Sequence, residues 1–172
     1  MIIYIRHADD SSVHDHSHIH DTHITKKGII DCDILSKRLI RRYGKPYKIY
    51  HSPLLRGTET TKAMTTLNDI GGKIISDNRL SRYFTKSEQQ NPDVSRSSLG
   101  KDVPIYENWK DFQQRVKDHM DEMIRKEYLY SKDKVVWCIT HTLVIKEVTR
   151  LLKIKTPDYL PFLYSFKVRV KI

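Results

Sequence analysis

Four side chains in this sequence are of types that can attack and hold a phosphoryl group: Arg6, His7, Arg56 and His141. Each follows a short apolar, β-branched run. Ile2-Ile3-Tyr4-Ile5 leads into Arg6-His7. Lys48-Ile49-Tyr50-His51 leads into Ser52-Pro53 and then Leu54-Leu55-Arg56. Val135-Val136-Trp137-Cys138-Ile139 leads into Thr140-His141. Runs of this kind read as buried strands, and α/β folds place their sites where such strands end. A neutral imidazole is a nucleophile, and a guanidinium clamps phosphoryl oxygens through paired planar donors. If the three strands are parallel neighbours, all four side chains converge at one sheet edge. Each residue alone also has a plainer reading: Arg6 as a surface arginine, Arg56 as a helix-start residue, His141 as a satisfied core histidine. Their order and spacing favour the site.

The elements that would position them follow from periodicity. Residues 2–6 predict a strand, 8–24 a polar loop and 26–43 a helix. That helix is expected to bury Ile29, Ile30, Ile34, Leu35, Leu39 and Ile40 and to stop at Gly44. Residues 47–51 predict a strand and 54–68 a helix, with Pro53 suited to its first turn. Gly71-Gly72 turn the chain into a short strand at 73–75. Residues 77–106 read as an irregular insertion that shapes the substrate site, broken by Asn91-Pro92, Gly100 and Pro104. A long helix is expected over 106–128, with Trp109, Phe112, Val116, Met120, Met123 and Ile124 on its inner face. Strand 134–140 and helix 142–153 follow. Residues 162–172 alternate apolar and basic, as a half-exposed edge strand does. Alternating strands and helices predict one domain over 1–172. It is a three-layer α/β/α sandwich with a mostly parallel sheet and one antiparallel edge strand.

The chain has 172 residues and a formal charge of +10, from 31 Lys and Arg against 21 Asp and Glu. This excess attracts phosphorylated substrates or polyanions. The basic residues are scattered, with short clusters such as Lys37-Arg38 and Arg41-Arg42, and no nucleic-acid motif accompanies them. A basic nucleic-acid-binding structural protein is therefore the weaker reading. No apolar run approaches the ~18 residues that span a membrane, and the first residues lack the basic start of a signal peptide. Cys32 and Cys138 are expected as reduced core thiols, which suits a cytoplasmic setting.

Arg6-His7-Ala8, Ser52-Pro53-Leu54-Leu55-Arg56 and Thr140-His141-Thr142 together resemble the ordered motifs of the histidine phosphatase superfamily, which has the phosphoglycerate-mutase-like fold. Ile24-Thr25-Lys26-Lys27-Gly28 looks like that family's Leu-Thr-x-x-Gly helix start, and Thr58-Glu59-Thr60-Thr61-Lys62-Ala63 like its Arg-x-x-x-Thr-Ala continuation. The resemblance covers most of 1–152. It implies a phosphatase acting through a phosphohistidine on His7, with Arg6 and Arg56 clamping the phosphoryl oxygens and His141 donating to them. Thr142, Asp10 and Arg82 would contribute to substrate binding. No metal or cofactor is implied. The substrate would be a phosphorylated small molecule or a phosphoprotein.

The departures from the family pattern bear on the substrate. Family enzymes that cleave alcohol phosphates carry a glutamate after the third strand to protonate the leaving oxygen. Here that stretch is Arg79-Leu80-Ser81-Arg82. Glu88 or Glu107 is a candidate acid, as are Asp9 and Asp10. Alternatively the substrate has a good leaving group, such as phosphohistidine, an acyl phosphate or an anhydride. In a third reading the chain is a catalytically weak module that binds phospho-ligands. In its compact size and Arg-His start it is similar to the small phosphohistidine phosphatases of the superfamily, which also lack the glutamate. Finally, His14, His16, His18, His20 and His23 share one polar loop with several carboxylates. Such a cluster can bind a transition metal, but its spacing matches no zinc-finger pattern. A mobile lid whose histidines charge with pH is the favoured reading.

Overall fold

The structure, a computed structural model, describes residues 1–11, 21–84, 107–129 and 133–168. Five strands form one sheet: β1 (Ile2–Arg6), β2 (Pro46–His51), β3 (Lys73–Ser76), β4 (Val135–Thr140) and β5 (Ser165–Lys167). Their order is β3-β2-β4-β1-β5. β1, β2, β3 and β4 pair in parallel, while β5 runs antiparallel to β1. Among the described residues, four α-helices connect them: α1 (Lys26–Tyr43), α2 (Leu55–Thr66), α3 (Trp109–Met123) and α4 (Thr142–Leu151). The expected α/β architecture is therefore present, with its parallel sheet and antiparallel edge.

The period-2 alternation of the strands feeds two separate apolar layers. Ile3, Ile5, Ile49, Trp137 and Ile139 pack against Cys32, Leu35 and Leu39 of α1 and Met64 of α2. Ile2, Tyr4, Tyr50, Val136 and Cys138 face the other way, onto Phe112, Val116, Met120 and Met123 of α3 and Val144, Ile145 and Val148 of α4. All six residues of β4 are buried, because this central strand is covered on both faces and flanked on both sides. Burying each large apolar side chain contributes about 1.5–3 kcal/mol. The two layers thus fix the strand ends in relation to one another.

Several expectations are corrected. In α1 the buried residues are Gly28, Cys32, Leu35, Ser36 and Leu39, whereas Ile29, Ile30 and Ile34 lie exposed at 42%, 61% and 59%. The inward face is chosen by small residues that permit close approach. A Cβ on Gly28 would sit 2.6 Å from the Asp9 carbonyl oxygen; Leu35 and Leu39 are buried as expected, but hydropathy alone misplaces the three isoleucines. Among the described residues the final strand is Ser165–Lys167, and residues 169–172 of the expected strand lie outside them. Residues 161–164 turn instead, with Leu163 at φ 56° and the Tyr164 N–H donating to the Pro161 carbonyl. The long helix begins at Trp109, whose ring is partly exposed, and continues past Met123 as a π-helical turn, Ile124–Leu129. Buried Glu127 in this turn accepts from the Tyr47 hydroxyl, from Lys48 Nζ at 2.7 Å and from the Tyr50 hydroxyl at 2.9 Å, which ties the turn to β2. Most of the 77–106 insertion lies outside the described residues. Its first part forms a 3₁₀ turn, Asn78–Leu80. Among the described residues no helix is long and apolar enough to cross a membrane. Cys32 and Cys138 are buried free thiols, and burial pushes the Cys32 thiol up to about 12.

Candidate active site

The chain leaves β1, β2 and β4 at the same edge of the sheet, and backbone bonds carry the register past the strand ends. His7 N–H donates to the Thr140 carbonyl at 2.9 Å, and Ser52 N–H to the Ile139 carbonyl at 2.9 Å. His7, Ser52 and His141 are thereby held side by side. The rings of His7 and His141 lie 5.0 Å apart between centroids.

His7 is 5% exposed. Its Nδ1 lies 2.9 Å from the carbonyl oxygen of Ala8. A carbonyl only accepts, so Nδ1 carries the proton and Nε2 keeps its lone pair. The following backbone is fixed from two sides. The Ala8 N–H donates to Thr60 Oγ1 of α2 at 2.9 Å. Thr25 caps α1 by accepting from the Gly28 N–H, and its hydroxyl donates to Asp9 Oδ2, both at 2.9 Å. The Thr-x-x-Gly stretch thus locks the loop that carries the histidine.

Arg56 sits in the first turn of α2 and is 4% exposed. Leu54, the cap residue of α2, has no side-chain acceptor. Asp21 reaches in from the loop before α1 instead, accepting from the Leu55 N–H at 2.6 Å. Asp10, 2% exposed, lies 3.5 Å from Arg56 Nε and 3.7 Å from His7 Nδ1. Arg6 donates to the Leu160 carbonyl and lies 4.2 Å over the ring of Phe162. His141 precedes α4, and its Nε2 is 2.8 Å from the Ser52 hydroxyl.

These groups surround a cavity of about 250 Å³. Arg6, His7, Asp10, Arg56, Arg82, His141 and Thr142 supply its polar wall, and Tyr83, Leu143 and Phe162 its apolar one. The electrostatics are one-sided. Burial lowers the pKa of His7 well below its ordinary value, and the charges of Arg56, Arg6 and Arg82 push the same way. His141 is lowered well below its ordinary value by burial, then by Arg56, His7 and Arg82. Both rings are therefore uncharged at neutral pH. Arg56 is lowered to about 10 by burial and by Arg82, so it stays a cation. The site holds neutral imidazoles among guanidiniums, an arrangement suited to an anion with a nucleophile in contact with it.

All four residues singled out by type and spacing meet here, together with Asp10, Arg82 and Thr142. Glu107 does not line the cavity. It pairs with Arg115, which also donates to the carbonyls of Arg79 at 2.8 Å and Ser81 at 3.0 Å. Glu88, His14, His16, His18 and His20 lie outside the described residues. His23 is exposed, and its Nδ1 pairs with Glu59 at 2.7 Å. Ser52 as the partner of His141, Thr60 as the acceptor for Ala8, and the apolar wall of Tyr83, Leu143 and Phe162 were not legible as such. Ser52 stood within a quoted motif, but only the β2–β4 register places its hydroxyl against His141.

The sequence profile of the histidine phosphatase superfamily (branch 1) matches residues 2–163, and the chain belongs to that family. No curated protein matches it. Among solved structures it is similar to the ecdysone phosphate phosphatase from Bombix mori in complex with tungstate, at 14% identity and TM-score 0.72, over 95% of this chain and 86% of that one. It is also similar to the protein histidine phosphatase SixA complexed with tungstate, at 15% identity and TM-score 0.63, over 94% and 83%. The phosphoglycerate mutase from Plasmodium falciparum shares 23% identity and TM-score 0.56, over 90% and 75%. At these identities the likeness establishes the phosphoglycerate-mutase-like fold.

Proposed function

We propose that this protein is a phosphatase that moves a phosphoryl group from its substrate to His7 Nε2 and then to water. The observation that carries the reading is the pinned His7: Nδ1 is committed to the Ala8 carbonyl, Nε2 keeps its lone pair, and the ring is uncharged. Arg6 and Arg56 hold the non-bridging oxygens. In this reading the Ser52 hydroxyl, which accepts from the Leu54 N–H at 3.3 Å and lies 2.8 Å from His141 Nε2, donates its own proton to that nitrogen. His141 then carries its proton on Nδ1, which donates to the phosphoryl oxygens as charge gathers on them in the transition state. Asp10 lies between His7 Nδ1 and Arg56 and positions both. Thr142, in the first turn of α4, contributes a polar contact to the bound anion.

In the first step the His7 Nε2 lone pair forms the P–N bond as the P–O bond to the leaving group breaks, and that oxygen takes the electron pair. In the second step water attacks phosphorus and loses a proton to solvent, and Nε2 recovers its lone pair. The guanidiniums and imidazoles provide the charge stabilisation, so the proposed reaction uses no cofactor. The substrate is a phosphorylated small molecule or phosphoprotein in a cytoplasmic setting. Hydrolysis of para-nitrophenyl phosphate, acetyl phosphate and a phosphohistidine peptide by wild type and His7→Ala tests the reading. A His7-dependent turnover that falls at least ~10³-fold in the variant is expected. No turnover on any of the three, with vanadate still stabilising the fold, would point instead to a module that only binds phospho-ligands. The crowding of three arginines around one anion site favours that second reading.

A further inference from the structure

A groove leads away from the phosphoryl cavity along the outer edge of the sheet. Phe162 walls the cavity and also walls a hollow of about 400 Å³, whose other sides include Ile34 and Arg38 of α1 and Ser165 of β5. Arg38 and Ser165 in turn line a second hollow of about 230 Å³, together with Arg42, Tyr43 and Lys167. Neighbouring spaces share walls, so the three form one path. It follows β5, which runs antiparallel to β1 and therefore away from the edge where β1 delivers His7.

Backbone and charge both fit this path to an acidic polypeptide. The Val168 N–H donates to the Ile2 carbonyl at 2.9 Å, and the Arg6 N–H to the Tyr164 carbonyl at 2.8 Å. Residues 164, 166 and 168 thus spend their backbone groups on β1, and Ser165 and Lys167 turn theirs to the other side. β5 ends the sheet, so among the described residues no strand meets them there. Such an edge accepts an added strand. Arg38, Arg42 and Lys167 are exposed, and among the described residues none of the three forms an ion pair. The two carboxylates of α1, Asp31 and Asp33, pair with Lys27 and Lys37 instead. Arg42 and Lys167 both lie over the Tyr43 ring, 5.2 and 5.7 Å from its centre, which gathers two positive charges at the far end. A second copy added edge to edge would bring these cations face to face. A nucleic acid would meet the cations but leave the strand edge unused.

We propose that the groove between α1 and β5 docks an extended acidic segment of a phosphoprotein substrate, which adds as a strand beside β5 and sets its carboxylates against Arg38, Arg42 and Lys167 while its phosphorylated residue occupies the cavity. The inference rests on the phosphatase reading above and names its substrate as a phosphoprotein. Ile34, 59% exposed, offers an apolar contact along the way. Lys167 pairs with Ile3, four residues before His7, which is about 13 Å along a strand rising ~3.3 Å per residue. The carboxylates therefore belong about four residues or more from the phosphorylated one.

The test uses two phosphohistidine peptides that differ only in glutamates or glutamines placed about four and six residues to either side of the phosphohistidine. Acetyl phosphate, too small to reach the groove, is the control. Steady-state kinetics are measured for wild type, His7→Ala, Lys167→Glu and the double variant Arg38→Glu with Arg42→Glu. Wild type should favour the glutamate peptide by about 3- to 10-fold in kcat/KM, through KM, the scale of two or three exposed charge contacts. Added salt should shrink that preference, and either charge reversal should erase it while acetyl phosphate turnover holds. Equal values for the two peptides in wild type, a preference that survives both reversals, or a matching loss on acetyl phosphate would overturn the docking surface and leave the phosphatase reading intact. Fluorescence polarisation of the unphosphorylated glutamate peptide, competed by a single-stranded oligonucleotide, and sedimentation of the free protein test the other occupants. Tighter binding of the oligonucleotide, or a dimer that Lys167→Glu dissociates, would give the groove to nucleic acid or to a second copy and overturn the proposal. Turnover that is absent in wild type, or indifferent to His7→Ala, would instead sink the phosphatase reading and the substrate assignment with it.

Discussion

At the scale of single residues, the proposed reaction depends on where protons sit. His7 is held in one tautomer by its own backbone, at the Ala8 carbonyl, whereas His141 depends on a side chain 89 positions away in sequence, Ser52. Removing that hydroxyl leaves the position of the His141 proton unassigned but spares the arginines. Ser52→Ala should therefore lower kcat by about 10-fold, the cost of one hydrogen bond, with little change in KM. Steady-state kinetics on acetyl phosphate separate the two parameters. A rise in KM with kcat intact would show that Ser52 serves binding alone. The types Arg6, His7, Arg56 and His141 were legible because chemistry restricts them. Ser52 was not, because nothing in a linear motif tells a turn-forming serine from one whose hydroxyl aims across the sheet.

At the scale of elements, two helices reach the site by meeting backbone at close range. A Cβ added to Gly57 would lie 2.8 Å from the Ser52 carbonyl oxygen and 3.1 Å from Ser52 Cβ. Neither atom is the end of a flexible chain, so α2 must shift. Gly57→Ala should cost about 1–3 kcal/mol of stability and also reduce kcat, since the displaced residue holds His141. Thermal or urea unfolding and turnover on the same sample check both. Unchanged stability with full activity would show that α2 tolerates the shift. The same principle explains why periodicity misassigned α1. Its buried stripe uses Gly28, Cys32 and Ser36, small residues that carry little hydropathy, while three isoleucines face outward. Element types and approximate limits were readable from apolar spacing, but the packed face was decided by a backbone neighbour, Asp9.

At the scale of the whole molecule, the buried histidines couple folding to pH. His7, His51, His119 and His141 are all lowered by burial from an ordinary value of 6.5. Below 6.5 the unfolded chain binds protons that the folded chain refuses, so stability falls as pH drops. Asp21 acts in the opposite direction. Burial raises it from 3.8 to about 6, so the folded state gains a proton there and the associated stability is lost as pH rises through 6. Four histidines outweigh one aspartate. The melting temperature is expected to fall steadily between pH 7.5 and pH 5, as calorimetry across that range would show. A flat or rising curve would mean that the histidines charge without unfolding the site. Asp77 adds a later loss. Burial raises it, but the hydrogen bonds from His119 and Arg79 prevail and hold it below 3.8, so its contribution fades only once pH falls under that value.

By itself the sequence determined the α/β class, the parallel sheet, the family and the four side chains that meet at the candidate site. These follow from residue type and short-range period, which local chemistry controls. Tertiary structure alone decided which stripe of α1 is buried, that residues 161–164 turn Phe162 toward the cavity, and that Glu107 grips Arg115 and takes no place in the cavity wall. Those outcomes depend on contacts between segments far apart in the chain. Their energies come from close backbone approach and from charges meeting in a low-dielectric interior, and neither is encoded in any one stretch of residues.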